Sequence, residues 1–331
     1  MTILTRAMLT GQSAMERTSS QIKVVGPDEG EALWALGDKV TVKLTPEDTD
    51  GRFGISELVA QPGNGFPPHI HRREDEMFYI LDGDFTLVEG ERTSTCLKGS
   101  TAYLPKNFMH TYNNRGAAPG RMLVAVTPCG FERFIREWSH PVKDPAEPPP
   151  PPTREDIDKL MAAAPQYGVE LYPRVEAVPD RRIPAAEQAY WVLGQLVKLR
   201  LISEQTAGNF SLVELSSFPG EGVLSHLHTD REEVLYVLEG TIEFSFESGL
   251  ERLGPGNLVF VPRGAVHGFR NVGSETARLF DLHSPGGFES FFVEVGEPAT
   301  SSTRPAAEPH NLERLLPILQ KHGMQIPLPS A

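Results

Sequence analysis

The second half of the chain repeats the first at an offset of 157 residues, because Trp34 falls on Trp191 and Phe134 falls on Phe291. No insertion or deletion interrupts the alignment between these two pairs. Other identical positions are Leu36/Leu193, Gly37/Gly194, Gly51/Gly208, Phe53/Phe210, Glu57/Glu214, Gly63/Gly220, Gly83/Gly240, Gly99/Gly256, Pro105/Pro262, Pro128/Pro285, Gly130/Gly287 and Phe131/Phe288. Two unrelated domains would not align without gaps over this length, so the sequence predicts two tandem copies of one fold.

Each copy is built from short apolar runs separated by glycine, proline and asparagine. The runs MFYILDGDFTLVEG and VLYVLEGTIEFSFESG contain strand-forming residues bounded by turn residues, which is typical of hairpin-like strands of about 5–6 residues. Glycine and proline number 30 and 29, as expected for a turn-rich chain. The pattern predicts an all-β fold, in which each copy is a sandwich or a closed barrel.

Each copy is predicted to end in one helix. In the first copy the stiff segment DPAEPPPPP leaves the barrel, Thr153 and Asp156 form an N-terminal capping box, and Gly168 ends the helix. In the second copy the helix runs from Asn311 to His322 and Gly323 ends it.

These signals divide the chain into five parts. We predict a flexible N-terminal extension (1–20), an N-terminal barrel (21–143), a Pro-rich linker with a helix (144–175), a C-terminal barrel (176–300), and a final linker with a helix (301–331).

Composition excludes several classes of partner. The 331 residues carry a net charge of −13, whereas nucleic acids and anionic membrane surfaces require a basic face. No stretch approaches the roughly 18 apolar residues of a membrane span, and Arg6 interrupts any signal-peptide core. With only Cys96 and Cys129 available for a disulfide, we predict reduced thiols and a cytoplasmic protein.

Residues of metal-ligand type recur at the same spacing in both copies. The two sets are His69, His71, Glu76 and His110, and His226, His228, Glu233 and His267. In a strand, His-x-His directs both imidazoles to one side. A lone pair of this kind is a weak signal, but a duplicated quartet in an apolar interior is not explained by coincidence. Three imidazoles and one carboxylate suit a divalent transition metal and leave coordination positions open, as in catalytic sites.

The two motifs around these ligands resemble those of the cupin superfamily. Gly63 to Gly83 and Gly220 to Gly240 fit the first motif, G-x5-H-x-H-x3-4-E-x6-G. Gly256 to Asn271 fits the second, G-x5-P-x-G-x2-H-x3-N, and Gly99 to Asn114 fits it except that Asn107 replaces a glycine. Asparagine tolerates a left-handed backbone, so we expect this turn to be kept. The resemblance implies two tandem cupin barrels (double-stranded β-helix, jelly roll), each followed by a short C-terminal helix.

The layout is similar to that of bicupin proteins of the quercetin 2,3-dioxygenase type, on the basis of the Glu-x-x-Tyr after the histidines, the Pro-rich exit and the YGVEL segment. This resemblance implies one divalent metal per barrel, iron first, with manganese, nickel, cobalt, copper and zinc as alternatives. It also implies that Glu76 and Glu233 are at once metal ligands and catalytic bases towards a flavonol hydroxyl. A homodimer is expected by analogy.

The neighbours of the ligands differ between the copies. Aromatic residues surround the first motif set, which favours the N-terminal barrel for a flat aromatic substrate; they are Phe66, Phe78, Tyr103, Phe108 and Tyr112. The equivalent residues of the second copy are Val223, Leu235, Phe260, Ala265 and Phe269. The tyrosines after the ligand glutamates, Tyr79 and Tyr236, are also assigned to the substrate pockets.

Three further residues have two interpretations each. His283, which replaces Val126, is either a substrate contact or proton shuttle of the second pocket or an edge histidine. Glu57 and Glu214 either hold a ligand imidazole in its tautomer or are outward-facing strand charges.

Three functions remain open at this point. The first is a metal-dependent dioxygenase that binds a small aromatic substrate and dioxygen. The second is a non-redox metal-dependent isomerase, cyclase or lyase of small-molecule metabolism. The third is a non-catalytic small-molecule-binding protein, which the retention of all eight ligands disfavours.

Overall fold

The computed structural model describes residues 21–144, 146–173, 188–301 and 312–327. The predicted extension 1–20 lies outside this part of the chain. The strands of the first copy are β1 Lys23–Val25, β2 Glu31–Ala35, β3 Asp38–Leu44, β4 Gly54–Ala60, β5 His69–His71, β6 Asp75–Asp82, β7 Asp84–Glu89, β8 Arg92–Leu97, β9 Thr101–Leu104, β10 His110–Asn114, β11 Gly120–Thr127, β12 His140–Pro141 and β13 Val169–Leu171. Its helices are α1 Pro46–Thr49, α2 Phe131–Trp138 and α3 Arg154–Ala163, followed by a 3-10 turn Ala164–Tyr167.

The second copy repeats these elements in the same order. Its strands are β14 Gln188–Val192, β15 Gln195–Leu201, β16 Ser211–Ser217, β17 Gly222–His228, β18 Glu232–Glu239, β19 Ile242–Phe246, β20 Gly249–Leu253, β21 Leu258–Val261, β22 His267–Asn271, β23 Ala277–Ser284, β24 Glu297–Pro298 and β25 Met324–Gln325. A 3-10 turn, Ser203–Thr206, takes the place of α1, and the helices are α4 Glu289–Val295 and α5 Leu312–Lys321.

Each copy folds into two antiparallel sheets with matching strand order. The large sheets are β12-β2-β3-β4-β11-β6-β9 and β24-β14-β15-β16-β23-β18-β21, and the small sheets are β13-β5-β10-β7-β8 and β25-β17-β22-β19-β20. Residues of both sheets pack together in one apolar core per copy, for example Phe78 with Phe85 in the first and Leu235 with Phe244 in the second. The fold is therefore all-β with two jelly rolls, as predicted, although the sheets do not close into one hydrogen-bonded cylinder.

The first strand pairs with the second copy, and its equivalent positions there, 180–182, lie outside the described residues. β1 pairs with β21, so that Lys23 lies opposite Phe260 and Val25 opposite Leu258. Conversely, β13 pairs with β5 and returns the end of the first linker to the first jelly roll. The predicted linker region 144–175 thus contains a strand of the first jelly roll, which no local sequence signal indicates. The boundaries at 21–143 and 144–175 remain predictions.

A third apolar core joins the two copies. Alternate residues of the large sheets point away from their own jelly roll and pack against the other one; they include Met77 and Tyr79 from the first copy and Tyr236 and Phe280 from the second. Both faces of β6 and β18 are buried, which explains why MFYIL and VLYVL are continuous apolar runs.

The C-terminal helix predicted for each copy is present as α3 and α5, and a further helix, α2 or α4, precedes it. The capping box of Thr153 and Asp156 begins α3, and Gly168 adopts a left-handed backbone (φ 72°) where this region ends. α2 and α4 were not predicted, and both follow directly after the last long strand of their jelly roll. No helix in the described ranges is both long and apolar enough to cross a membrane.

Candidate metal centres

The first quartet converges inside the first jelly roll. β5 carries His69 and His71, β6 carries Glu76 and β10 carries His110, and all four side chains are buried. The Nε2 atoms of His69 and His71 lie 3.1 Å apart, and Nε2 of His110 lies 2.9 Å from Oε2 of Glu76. All four candidate ligand atoms lie within 4.8 Å of one another, as required for binding to one cation.

The second quartet has the same arrangement. His226 and His228 lie on β17, Glu233 on β18 and His267 on β22, and these side chains are buried too. Oε2 of Glu233 lies 2.6 Å from Nε2 of His267 and 3.4 Å from Nε2 of His228. Again all four ligand atoms lie within 4.8 Å of one another.

Backbone carbonyls orient four of the six imidazoles. Nδ1 of His69 and of His110 lies 2.9 and 3.1 Å from the carbonyl oxygen two residues earlier, and His226 and His267 repeat this at 2.8 and 3.1 Å. A carbonyl only accepts, so Nδ1 carries the proton and Nε2 presents its lone pair to the centre. This is the tautomer that a metal ligand requires.

The turn before the last histidine is also the same in both copies. Asn107 has a left-handed backbone (φ 67°), as its counterpart Gly264 does (φ 79°), so the expected tolerance of asparagine at this position is confirmed. The Asn107 amide donates to the carbonyl of His71, and the Gly264 amide donates to that of His228, both at 2.7 Å. The turn therefore ties the third histidine to the His-x-His strand.

The protonation states suit a cation. Burial lowers the pKa of His69 well below its ordinary value, and burial lowers that of His226 to about 3, with the neighbouring histidines acting in the same direction. Burial alone would raise the pKa of Glu233, but His267 and His228 outweigh it and hold the pKa well below its ordinary value. Burial alone would lower the pKa of His267, but the charge of Glu233 outweighs it and raises the pKa. Neutral imidazoles and a charged carboxylate are the forms that bind metals, so His267 would release its proton on binding.

The second centre also has buried polar atoms without hydrogen-bond partners among the described residues. They include Nε2 of His228, Nε2 of His267 and Oε2 of Glu233; the last two lie 2.6 Å apart but without hydrogen-bond geometry. Such atoms are costly to bury, and a cation at their common focus would satisfy all three. The donor set and its geometry thus fit one divalent transition metal per jelly roll.

The second centre contains a carboxylate and an imidazole that the first lacks. Asp281 and His283 point from β23 towards the interior, where β11 of the first copy has Val124 and Val126. Nε2 of His283 lies 4.0 Å from Oε1 of Glu233, and its Nδ1 lies 3.5 Å from Oδ1 of Asp281. Burial and the charge of Glu233 raise the pKa of Asp281 well above its ordinary value. His283 is therefore buried rather than an edge histidine.

A second difference concerns the residue three positions after the second histidine. In the first centre Oε2 of Glu74 lies 3.6 Å from Nδ1 of His71. The equivalent residue of the second centre is Arg231, whose guanidinium lies over the ring of Phe288, itself in contact with His228. One centre therefore has an additional anion nearby, and the other an arginine that is paired with Asp230.

Both centres border an apolar cavity, and the two cavities differ in size. The first, of about 60 Å³, is lined by His69 and Glu76 together with apolar residues including Phe66, Phe78, Tyr112, Phe131 and Trp138. The second, of about 320 Å³, is lined by His226, His228, Glu233 and Asp281 together with Phe269, Phe288, Phe291, Phe292 and Leu319. The phenylalanines of α4 were missed from the sequence because that helix was not predicted.

Three tyrosines assigned to the pockets lie instead between the two copies. The hydroxyl of Tyr79 donates to Glu214 at 3.0 Å and that of Tyr236 donates to Glu57 at 3.2 Å. Tyr103 donates to the carbonyl oxygen of Thr206 at 3.1 Å. The assignment was wrong because these side chains lie on the face of their strands that points away from the interior of the jelly roll.

The prediction that Glu57 and Glu214 hold a ligand imidazole in its tautomer is wrong for the same reason. Glu57 accepts hydrogen bonds from Arg121, and Glu214 accepts them from Arg200 and Arg278. Both carboxylates therefore point away from the metal centres and belong to the interface between the copies.

Of the other aromatic residues, Phe66, Phe78 and Tyr112 line the first cavity, whereas Phe108 does not. Phe108 is 43% exposed and contacts Gly90 at the surface. It follows the left-handed turn at Asn107, which directs its side chain outwards while its carbonyl holds His110.

A pair of acidic residues next to the ligand glutamates was not recognised in the sequence. Asp75 accepts a 2.9 Å hydrogen bond from Asn209 of the second copy, and Glu232 accepts one of 2.8 Å from Arg52 of the first. Each copy therefore holds the residue that precedes the ligand glutamate of the other. The only sequence signal is an acidic residue before a buried glutamate in both repeats.

Comparison with known families gives two matches to one domain model. The Cupin domain model matches residues 56–126 and 216–283, which span the ligand strands of both copies.

Two curated relatives share the same name. Quercetin 2,3-dioxygenase of Bacillus subtilis (strain 168) is 27% identical to this chain over 322 residues, covering 91% of this chain and 94% of that protein. Quercetin 2,3-dioxygenase of Aspergillus japonicus is 33% identical over 87 residues, which is 25% of each chain.

Among solved structures, a variant oxalate decarboxylase of Bacillus subtilis matches with a TM-score of 0.56 at 14% identity, covering 81% of this chain and 78% of that one. The formate complex of Lactobacillus farciminis oxalate decarboxylase matches with a TM-score of 0.55 at 14% identity, covering 81% and 89%. At this identity the match concerns the fold alone.

Proposed function

This chain is a bicupin of the cupin superfamily with two metal-binding centres, and from that premise we propose that it is a metal-dependent dioxygenase of quercetinase type. Its substrate is a flavonol or a related enolisable aromatic compound. The observation that carries the proposal is an apolar, phenylalanine-lined cavity that opens directly onto a three-histidine, one-glutamate centre. The similarity to a quercetin 2,3-dioxygenase over nearly the whole chain supports it.

The lining of the cavities favours an aromatic substrate over a small dicarboxylate. Among the described residues that line the two cavities, none is an arginine or a lysine. A dianion such as oxalate would lose its hydration in such a site without a side-chain cation in return. A flat aromatic molecule instead gains from burial against phenylalanine rings.

The size of the second cavity supports placing the substrate in the C-terminal jelly roll. Ligand pockets are typically of about 300–1,000 Å³, a range that includes the second cavity of about 320 Å³ but not the first of about 60 Å³. The preference for the N-terminal barrel rested on aromatic side chains around its motifs. Three of these, Phe66, Phe78 and Tyr112, fill the first interior rather than widen it.

In the proposed reaction Glu233 has two tasks. Its Oε2 faces His228 and His267 at the centre, while its Oε1 faces His283. Oε1 would accept the proton of a substrate hydroxyl held in the cavity. The surrounding phenylalanines would exclude water from the deprotonated substrate. A bound divalent metal supplies Lewis-acid and redox chemistry with open coordination positions.

An oxygen electrode tests the proposal. Metal-loaded protein mixed with quercetin is expected to consume dioxygen and evolve carbon monoxide. Conversion of a flavonol under anaerobic conditions would support the non-redox isomerase, cyclase or lyase instead. Binding without any turnover would support the non-catalytic alternative. Flavone, which lacks the enolisable hydroxyl, is the control substrate.

Metal analysis tests the cofactor separately. We propose iron as the native metal, one per jelly roll, and elemental analysis of purified protein is expected to give about two metal ions per chain. The homodimer and the cytoplasmic location remain predictions, which size-exclusion chromatography and cell fractionation test.

A further inference from the structure

We propose that Asp281 and His283 form a polar subsite of the second cavity that binds the hydroxyl or keto groups of the substrate and determines its specificity. The proposal rests on the proposed function only for the substrate class, an aromatic compound with adjacent oxygen atoms. The pair itself is argued from its position, its unpartnered atoms and its absence from the first copy.

The position of the pair is fixed by strand pairing. His283 lies directly opposite Glu233 across β23 and β18, and Asp281 lies two residues earlier on the same face of β23. Opposed residues of neighbouring strands have their side chains in contact distance. The pair therefore adjoins the ligand glutamate at the edge of the cavity, which Asp281 lines.

Three of the four polar side-chain atoms of the pair lack hydrogen-bond partners among the described residues. Oδ1 of Asp281 and both ring nitrogens of His283 make no hydrogen bond, although the two side chains are only 2% and 1% exposed. The 3.5 Å between Nδ1 of His283 and Oδ1 of Asp281 is long for a hydrogen bond. Burying such groups without partners is unfavourable, so their presence points to a ligand that supplies the partners.

The first copy shows that the fold does not need polar groups here. Val124 and Val126 occupy the equivalent positions on β11, and Val126 lies opposite Glu76 as His283 lies opposite Glu233. Valine is also the ordinary residue for a strand interior. The pair is thus an addition specific to the larger of the two cavities.

The chemistry around the pair indicates what it binds. The ring of His283 lies 4.4 Å from that of Phe288, and Phe291 and Phe269 continue the apolar wall. A ligand that fits would have a flat apolar body against these rings and hydroxyl or keto oxygens at one end. Asp281 would accept a hydrogen bond from a hydroxyl group, and His283 would donate one to an oxygen atom.

The first test does not require the natural substrate. The variant D281V/H283V gives the second copy the residues of the first, and the metal-loaded, ligand-free protein is expected to melt about 2–4 °C higher, because unpartnered buried polar groups are replaced by apolar ones. The reciprocal variant V124D/V126H is expected to melt lower. A lower melting temperature of D281V/H283V would show that the pair has a structural role and would overturn the proposal.

The second test measures binding without oxygen. Anaerobic fluorescence titration of wild type is expected to give tighter binding of 3-hydroxyflavone than of flavone, and D281V/H283V is expected to weaken 3-hydroxyflavone binding about 10–100-fold with little change for flavone. The conservative variants D281N and H283N should retain part of the discrimination. Equal losses for both compounds would contradict a polar subsite.

Metal content and turnover separate the two proposals. D281V/H283V is expected to keep two metal ions per chain; loss of one would make the pair metal ligands and overturn the subsite. Wild type that cleaves quercetin while D281V/H283V has an unchanged KM would leave the function standing and refute the subsite. A raised melting temperature of D281V/H283V with no flavonol bound by wild type would support the subsite and refute the flavonol function.

Discussion

The two metal centres have the same four ligands on equivalent strands, but the residues around them differ. The first adjoins valines and a cavity of about 60 Å³, with Glu74 beside His71. The second adjoins Asp281, His283 and a cavity of about 320 Å³, with Arg231 in the place of Glu74. The shared ligands therefore fit a metal ion in both jelly rolls. The larger cavity and the polar neighbours of the second centre favour the C-terminal jelly roll as the site of the proposed reaction.

Removal of the ligands of one centre at a time is the strongest challenge to this comparison. H226A/H228A is expected to lose one metal ion per chain and to lower oxygen uptake with quercetin at least ~1000-fold, since metal catalysis provides several kcal/mol. H69A/H71A is expected to lose one metal ion as well but to keep most of the activity. Elemental analysis and the oxygen electrode measure both. Equal losses of activity would remove the distinction between the centres.

The inter-copy carboxylates provide the next largest effect, on stability. The buried Glu214 pairs with Arg200 and Arg278, and among the described residues only Arg278 has a second carboxylate partner, Glu239. E214A leaves Arg200 without this partner and is expected to cost about 3 kcal/mol. Glu57 pairs with Arg121, whose side chain is 44% exposed, so E57A is expected to cost only about 1 kcal/mol. Urea denaturation measures both variants. An equal cost would mean that solvent screening at Arg121 has been overestimated.

The residues at positions 74 and 231 are expected to tune metal affinity. E74Q removes an anion next to His71 and is expected to weaken metal binding at the first centre about 10-fold. R231Q removes a cation near His228 and is expected to strengthen binding at the second centre a few-fold. Competition with a chromophoric chelator resolves the two centres. If neither variant changes its centre, these charges do not reach the metal.

The smallest effects are expected from filling the cavities with matched substitutions. Leu58 and Leu215 are equivalent residues that line the first and second cavity. L58F has no room and is expected to destabilise the protein by about 1–3 kcal/mol. L215F is expected to fit with little loss of stability and to raise the KM for quercetin about 10-fold by occupying substrate space. The opposite assignment of effects would return the substrate to the first jelly roll.

The sequence predicted most of what is local. The spacing of each quartet predicted its convergence, because alternation along β5 and β17 and a proline turn before the third histidine leave little freedom. The left-handed turn at Asn107 and the capping box at Thr153 were also predicted correctly, since both depend on a few adjacent residues.

The errors concern contacts between distant segments. Strand alternation separates Tyr79 and Glu57 from the interior-facing residues, but it does not show that the other face is covered by a second jelly roll. A buried face of either kind is apolar with occasional polar groups, so these residues were assigned to the wrong face. Asp281 was missed because only His283 was compared with its counterpart in the first copy.

The pairing of β1 with β21 has a consequence for how the protein is made. β1 leaves the ribosome before the other described strands, while β21 belongs to the last third of the sequence. At translation rates of about 5–20 residues per second, β21 is synthesised about tens of seconds or less after β1. The nascent first jelly roll can assemble in that interval, but the edge of the second is covered by the earliest of the described strands. Separate expression of the halves would therefore leave that edge uncovered.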